Sequence, residues 1–284
     1  MVPCAAEERK RQGSRRTGDL PGKGHLDLIR TSFVDEPATG PALARTLLDQ
    51  VAAGRREATL RVARTGPAVA FGRRDVVSPQ YREAATVAAG LGHPGIERLS
   101  GGRATAYVGE TLVLGLTLPD RDPARRTAER FEWVADTVNS GLERLGLAVE
   151  IGRLAGEYCP GDHSVILGGN RKVAGLGQRM IPGAAHVGVV ITVSGSSQLR
   201  EVLIPIYETL GLKWDPSTAG ALDDRGDGVD LESVERTLIE AFERKLELEE
   251  RELDPTTSAL ARERSALYMS PASGPDERGR GSGE

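Results

Sequence analysis

Three short stretches of this 284-residue chain gather its chemistry-bearing side chains. The first, Arg98-Leu99-Ser100-Gly101-Gly102-Arg103-Ala104, follows the turn-forming His93-Pro94-Gly95 and precedes an apolar β-prone run at 111–118. Paired glycines let a backbone approach a ligand closely and turn its N–H groups towards an anion or a carbonyl oxygen. Arg98 and Arg103 add planar, multiply donating cations suited to phosphate or carboxylate. A tight turn flanked by solvated arginines would use the same residues, so spacing alone leaves both readings open.

The second stretch is Cys159-Pro160-Gly161-Asp162-His163. A lone cysteine is more often a small buried hydrophobe than a nucleophile. Here Gly156-Glu157-Tyr158 before it and Pro160-Gly161 after it are polar and turn-forming, which puts the thiol at an exposed loop; near cations its pKa falls and its reactivity rises. His163 is read as a loop histidine rather than a general base. The third stretch runs from Gly168 to Arg179, where Gly169-Asn170 is hairpin chemistry. A strand then carries Lys172, with Gly175 and Gly177 thinning the wall beside it. Taken alone this is an ordinary exposed hairpin. However, the 37 basic residues include only five lysines, and in so arginine-rich a chain a retained lysine leans towards a role for its compact, titratable ammonium. Three Gly-rich segments that carry the few reactive side chains weigh against three unrelated coincidences.

The elements that must position these residues are short and mixed. Strands are expected at Leu26–Arg30, Thr59–Arg64, Ala68–Phe71, Thr111–Leu118, Ala148–Ile151, Ser164–Leu167, Arg171–Ala174 and Val187–Val193. Helical spacing marks Pro41–Ala53 (Leu43, Leu47, Leu48, Val51), Pro79–Leu91, Pro123–Leu145, Ser197–Leu210 with a bend at Pro205, and Leu231–Glu249. Strands and helices interleave, but not as regular βαβ units, and the runs at 148–193 read as hairpins. The expected class is α+β, a mixed and largely antiparallel sheet flanked by helices. Residues 25–252 form the expected catalytic domain. Residues 1–24 and 253–284, rich in Gly, Ser, Pro and charge, are expected to be disordered tails.

Composition removes other classes. Apolar content of 39% and charged content of 27% are ordinary for a globular protein, and a net charge of −4 without a large basic block gives no footprint for nucleic acid. No run approaches a membrane span or a secretory signal core. Two cysteines, Cys4 and Cys159, make no disulfide framework, and a cytoplasmic location is expected. The four histidines are scattered without metal-ligand spacing, so no metal site is expected. There is no Walker-type loop, no dinucleotide fingerprint and no nucleophile elbow.

With Arg98 and Ser100-Gly101-Gly102-Arg103-Ala104, followed by Arg171-Lys172-Val173-Ala174-Gly175-Leu176-Gly177-Gln178-Arg179, the chain resembles the biotin/lipoate protein ligase superfamily, in its lipoate–protein ligase and octanoyltransferase branch. The phrase Val69-Ala70-Phe71-Gly72-Arg73-Arg74-Asp75 is similar to the family's strand ending in a Gly-Arg turn, and the resemblance covers roughly 25–245. It implies a class II aminoacyl-tRNA synthetase/biotin ligase-like catalytic domain. It gives Lys172 to the acyl carbonyl or acyl-adenylate. The acyl- or adenylate-binding set is then Arg98, Ser100, Gly101, Gly102, Arg103, Ala104, Gly175, Gly177 and Gln178. Cys159 takes the place of the transferase branch's thioester-forming cysteine, and Arg103 stands where ATP-dependent ligases have a third glycine. Many ligases also carry a small accessory domain where this chain has only the stretch after about 250. Two features depart from the transferases: Tyr107 and Val108 stand near a customary histidine, and the cysteine loop is Cys-Pro-Gly.

The implied activity is transfer of an octanoyl or lipoyl group to a lysine of a lipoyl-domain protein, a 2-oxoacid dehydrogenase E2 subunit or the glycine-cleavage H protein. Acyl carrier protein is the implied donor, with no tightly bound cofactor and a monomeric enzyme. One alternative is ATP- and Mg-dependent lipoate ligation, in which Cys159 would be incidental. Another is a non-catalytic acyl-binding protein.

Overall fold

A computed structural model describes residues 25–225 and 229–271. The expected tail at 1–24, with Cys4, and residues 272–284 of the tail expected at 253–284 lie outside the described residues. Strand β1 (His25–Phe33) is followed by helix α1 (Thr39–Ala52), strands β2 (Thr59–Thr65) and β3 (Ala68–Phe71), the single turn α2 (Arg73–Val76) and helix α3 (Tyr81–Gly90). Then come β4 (Gly95–Glu97), β5 (Thr105–Tyr107), β6 (Thr111–Asp120), α4 (Thr127–Glu143), β7 (Val149–Gly152), β8 (Ser164–Leu167), β9 (Arg171–Ile181) and β10 (Gly183–Thr192). The last elements are α5 (Ser196–Thr209), α6 (Leu231–Glu243), β11 (Glu247–Glu250) and α7 (Pro255–Ser265).

Eight strands form the main sheet in the order β11-β1-β2-β6-β10-β9-β8-β7, and β4-β3-β5 form a small second sheet. In the main sheet β1 runs parallel to β2 and β11, and the other neighbours are antiparallel. The mixed, largely antiparallel class expected from the pattern is therefore observed.

Strand alternation sorts the core into two faces. Leu112, Leu114, Leu116 and Leu118 of β6 point with Val187, Val189 and Ile191 of β10 into a cluster closed by Val134, Val138 and Leu142 of α4 and Val234, Leu238 and Phe242 of α6. Each such fully buried side chain contributes about 1.5–3 kcal/mol. On the opposite face, Ile29 and Phe33 of β1 pack on Leu43 and Leu47 of α1. The small sheet makes a third cluster with α3 and α5, built on Phe71, Tyr81, Leu199, Leu203 and Tyr207.

Three segments differ from expectation. The helix expected over 231–249 ends at Glu243, and Glu247–Glu250 instead form β11, pairing in parallel with His25–Leu28. Only the open edge of β1, far away in sequence, specifies that strand. The runs expected at 171–174 and 187–193 are parts of one long hairpin, β9 with β10, paired from Ala184↔Ile181 to Ile191↔Ala174. Glycines 175, 177 and 188 had broken its alternation. Residues 255–265, expected within a disordered C-terminal tail, form α7 against α1. The helix is capped by the Asp254 carboxylate, which accepts from Thr257 N at 2.8 Å, and Pro255 occupies its first turn. Arg56 pairs with Asp254, Gln50 Nε2 donates to Thr257 Oγ1 at 2.8 Å and Arg264 Nη1 donates to Asp49 Oδ2 at 3.0 Å.

Candidate active site

The three sequence stretches converge. Cys159 follows the buried Glu157 and Tyr158, and it is partly buried rather than fully exposed on its loop. It adopts φ +41°, the left-handed region that a non-glycine residue rarely occupies, at a cost of about 1–3 kcal/mol. Two contacts hold it there. Its N–H donates to Tyr207 Oη at 2.8 Å, and Lys172 Nζ donates to its carbonyl at 2.7 Å. Tyr207 Oη in turn donates to Ala104 O at 2.9 Å, which ties the cysteine loop to the Gly-rich segment.

The sulfur faces cations and a backbone donor. Arg98 Nη2 and Arg103 N each donate to Cys159 Sγ at 3.2 Å. Burial alone would push the thiol up, but the Arg98 guanidinium, the Lys172 ammonium and the Arg103 N–H outweigh it and hold the thiol below its ordinary value. Gly102 makes the approach possible. At φ +101° it suits only glycine, and a Cβ there would meet Arg98 Nη2 and lie 2.9 Å from Cys159 Sγ.

Lys172 is 2% exposed and does not face solvent as a hairpin lysine would. Its ammonium pairs with Glu157 Oε2 at 2.8 Å, donates to Tyr158 O at 3.0 Å and lies 4.9 Å from the centre of the Tyr158 ring. Glu157 also accepts from Ser164 Oγ at 2.6 Å and from the Leu154 and Gly161 N–H groups, so the buried carboxylate is fully satisfied. Gly175 leaves the room the lysine needs, since a Cβ there would lie 3.3 Å from Lys172 Cε.

Not every expected residue serves as expected. The Arg103 side chain turns away from the sulfur: Nη1 donates to Asp75 Oδ1 and to Arg74 O, both at 3.2 Å, so Arg103 contributes its backbone N–H and not its guanidinium. Ala104 is fully buried and lines neither of the two spaces at the site. Gln178 borders the cleft, yet its amide is spent on Arg130 Nε (2.9 Å) and Thr127 O (2.7 Å) of α4, which makes it a brace. His163 stacks on Phe131 with ring centres 5.1 Å apart, as a loop histidine. Glu157, Asp75 and Tyr207 were missed as site residues. Glu157 stood in a polar turn and Tyr207 on an apolar helix face, and neither carried a sequence signal of its partner.

Two spaces share part of a wall at the site, and the sulfur borders the larger. A cleft of about 1480 Å3, mouth included, is bordered by Gly101, Gly102, Cys159, Pro160, His163 and Lys172. A second, much narrower pocket lies beneath α1, lined by Ser100, Gly177, Gly188 and His186 and not by Cys159. Arg98, Gly175, Gly177 and Val190 border both. Gly177, Gly188 and Gly115 lie opposite one another on β9, β10 and β6, and the first two border the narrow pocket. Neighbours use the room that two of them leave: a Cβ on Gly177 would lie 2.7 Å from Ser100 Oγ, and one on Gly115 2.8 Å from His186 Cε1. Among the described residues no group of His, Cys, Asp and Glu side chains could hold a metal ion, and no helix is long and apolar enough to cross a membrane.

The family model described as the lipoyl protein ligase A/B catalytic domain matches residues 36–243. The chain belongs to that family. Among curated proteins, similar relatives are the Octanoyl-[GcvH]:protein N-octanoyltransferases of Geobacillus kaustophilus and Kyrpidia tusciae. The first is 29% identical over 170 residues, 60% of this chain and 60% of the relative. The second is 29% identical over 222 residues, 71% of this chain and 76% of the relative. The chain thus spans three-fifths of the length of the Geobacillus relative. Among solved structures, a bi-partite lipoate protein ligase of Thermoplasma acidophilum superposes with TM-score 0.66 at 19% identity, covering 85% of this chain and 92% of that one. Lipoate-protein ligase A bound with ATP gives 0.66 at 18% identity, covering 86% and 95%. These structures share the fold of this family member.

Proposed function

We propose that this lipoyl protein ligase A/B family member transfers an octanoyl or lipoyl group to lysines of lipoyl-domain proteins through a thioester on Cys159. The observation that carries the reading is the sulfur itself, its thiol held below the ordinary value by Arg98, Lys172 and the Arg103 N–H, on the wall of the cleft that Lys172 also borders. The thiolate Sγ attacks the carbonyl carbon of an acylated carrier protein. Backbone N–H groups of Gly101–Arg103 stabilise the developing oxyanion, and the leaving group departs with a proton. The acyl chain lies in the cleft that Cys159 borders, beside Gly175 and Gly177. The ε-amine of an acceptor lysine then attacks the thioester, loses a proton and returns the thiolate.

The donor proposed from the sequence is acyl carrier protein. The relatives' name carries the octanoyl group on GcvH, so octanoylated H protein is an equally direct donor to test. The acceptor is an E2 lipoyl domain or H protein. Thioester transfer uses no tightly bound cofactor, and ATP and Mg are needed only if an adenylate forms instead. A cytoplasmic location and a monomer complete the reading.

Mixing the enzyme with octanoylated carrier and no ATP should give an octanoyl adduct on Cys159 in intact mass spectrometry, discharged by a lipoyl domain. Full transfer activity in Cys159→Ser would refute the covalent route.

A further inference from the structure

The cleft that Cys159 borders touches both faces of one strand. Gly175 and Gly177 line it from one face of β9, and Leu176, Gln178 and Met180 line it from the other. Successive side chains of a strand point to opposite faces, so a single cleft meets both only where it runs along the strand's edge.

That edge is open. β8 pairs with β9 only from Arg171 to Ala174, and a register shift at Val165/Ile166 bends it away. The loop before β8, which would continue the ladder, instead leaves the sheet and stacks His163 on Phe131 of α4. On its other side β9 stays paired with β10 through Ile181. The two-residue turn Pro182-Gly183 closes that hairpin on Ile181 and Ala184 as a hydrogen-bonded pair. Counting back in twos, Gly175, Gly177 and Arg179 spend their main-chain groups on β10, and Leu176, Gln178 and Met180 aim theirs at the cleft. Among the described residues no main-chain hydrogen bond reaches those groups from the cleft side.

Open strand edges are templates for another strand, and folded proteins usually cover or blunt them. This one is kept inside the cleft that holds the thiol. At about 1480 Å3, mouth included, the cleft exceeds the roughly 300–1,000 Å3 that holds a drug-sized ligand, so an acyl chain beside Gly175 and Gly177 leaves part of it free. Because those two residues are glycines, no β9 side chain on the cysteine's side competes with one that an added strand turns towards the sulfur.

We propose that the edge of β9 over residues 176–180 receives an extended segment of the acceptor protein as an added strand, which brings the target lysine to the Cys159 thioester. The inference rests on the acyl-transfer reading and adds how the acceptor is held. Main-chain hydrogen bonds supply the affinity, so the site reads the acceptor's backbone more than its side chains. An added strand lies about 4.8 Å from β9, and a lysine on the face it shares with Gly175 points across the cleft at the cysteine loop.

Amide hydrogen exchange, read residue by residue in the full chain, tests this without turnover. An unmodified E2 lipoyl domain or, in a parallel sample, unmodified H protein should slow exchange at Leu176, Gln178 and Met180 by about tenfold, the worth of one hydrogen bond each. Gly175, Gly177 and Arg179, already bonded to β10, should change by less than about twofold. Unchanged exchange at the three amides with either acceptor at saturation overturns the proposal. Equal slowing by octanoylation of Cys159 alone would give the edge to the acyl chain, and slowing that grows with enzyme concentration would give it to a second copy of the chain; either result overturns it too. Met180→Pro removes one cleft-facing donor and leaves the β10 ladder intact, and it should raise the KM for the acceptor by about fivefold. An unchanged KM in the folded variant counts against the proposal in the same way. Octanoyl loading of Cys159, followed separately by intact mass, judges the transfer reading. Its failure would leave the exchange result standing.

Discussion

Cys159 is activated by geometry that no single motif contains. Its φ of +41° aims the sulfur at the Gly-rich segment, where Gly102 lets Arg98 and the Arg103 N–H reach it. Arg98 is the largest of the charges that lower the thiol's pKa, and an opposite charge at such range is worth about one to three pKa units. A lowered pKa means the thiolate persists below the pH at which an ordinary thiol protonates. Arg98→Met should therefore move the pH midpoint of iodoacetamide alkylation upwards by about one unit or more. An unmoved midpoint would assign the activation to Lys172 and the backbone instead. Lys172, Cys159 and the double glycine were legible because rare residue types stood in Gly-rich contexts. The carboxylate that holds Lys172 was not legible as such. Glu157 takes its role from an ion pair between the loop before β8 and Lys172 of β9, and a sequence read along the chain shows only a polar turn.

At the scale of elements, what the sequence concealed was held by other elements. Helix α7 buries little apolar surface, with Ala261 fully buried against Leu43 and Leu47, and takes the rest of its anchorage from polar contacts with α1. Hydrophobic periodicity cannot find such a helix, although Asp254-Pro255 was a legible start signal. Ala261→Asp would bury an unpaired carboxylate there and should destabilise the fold by about 2 kcal/mol or more in urea unfolding. An unchanged midpoint would mean that α7 is not part of the cooperative unit. The glycine row invites the opposite experiment. A Cβ on Gly188 would clear Gly177 O by 3.9 Å and His186 Nε2 by 3.5 Å, so Gly188→Ala should fold. The added methyl intrudes on the narrow pocket beneath α1, and if the end of the acyl chain enters that pocket, octanoyl loading should fall relative to butanoyl loading by about threefold or more. Parallel losses for both chain lengths would show that the acyl chain runs elsewhere.

For the whole molecule, a cavity placed inside the sheet obliges the fold to bury polar groups, and that makes stability depend on pH. Burial, with the neighbouring Arg61 cation, lowers the pKa of His186 to about 3, whereas an unfolded histidine titrates near 6.5. Between those two pH values the unfolded chain binds the proton and the folded chain does not. Stability from this group is therefore complete above about pH 6.5 and is lost as pH falls, at about 1.4 kcal/mol per pH unit, until the folded value near 3 is reached. Carboxylates that titrate in the same range add their own slopes, so the contribution is isolated by difference. His186→Gln keeps a hydrogen-bonding group near Thr117 and cannot charge. Urea unfolding at pH 7.0, 6.0 and 5.0 should show the wild-type chain losing about 1 kcal/mol per unit more than His186→Gln between 6.0 and 5.0. Parallel pH profiles for the two proteins would mean that the ring takes up a proton within the folded cavity.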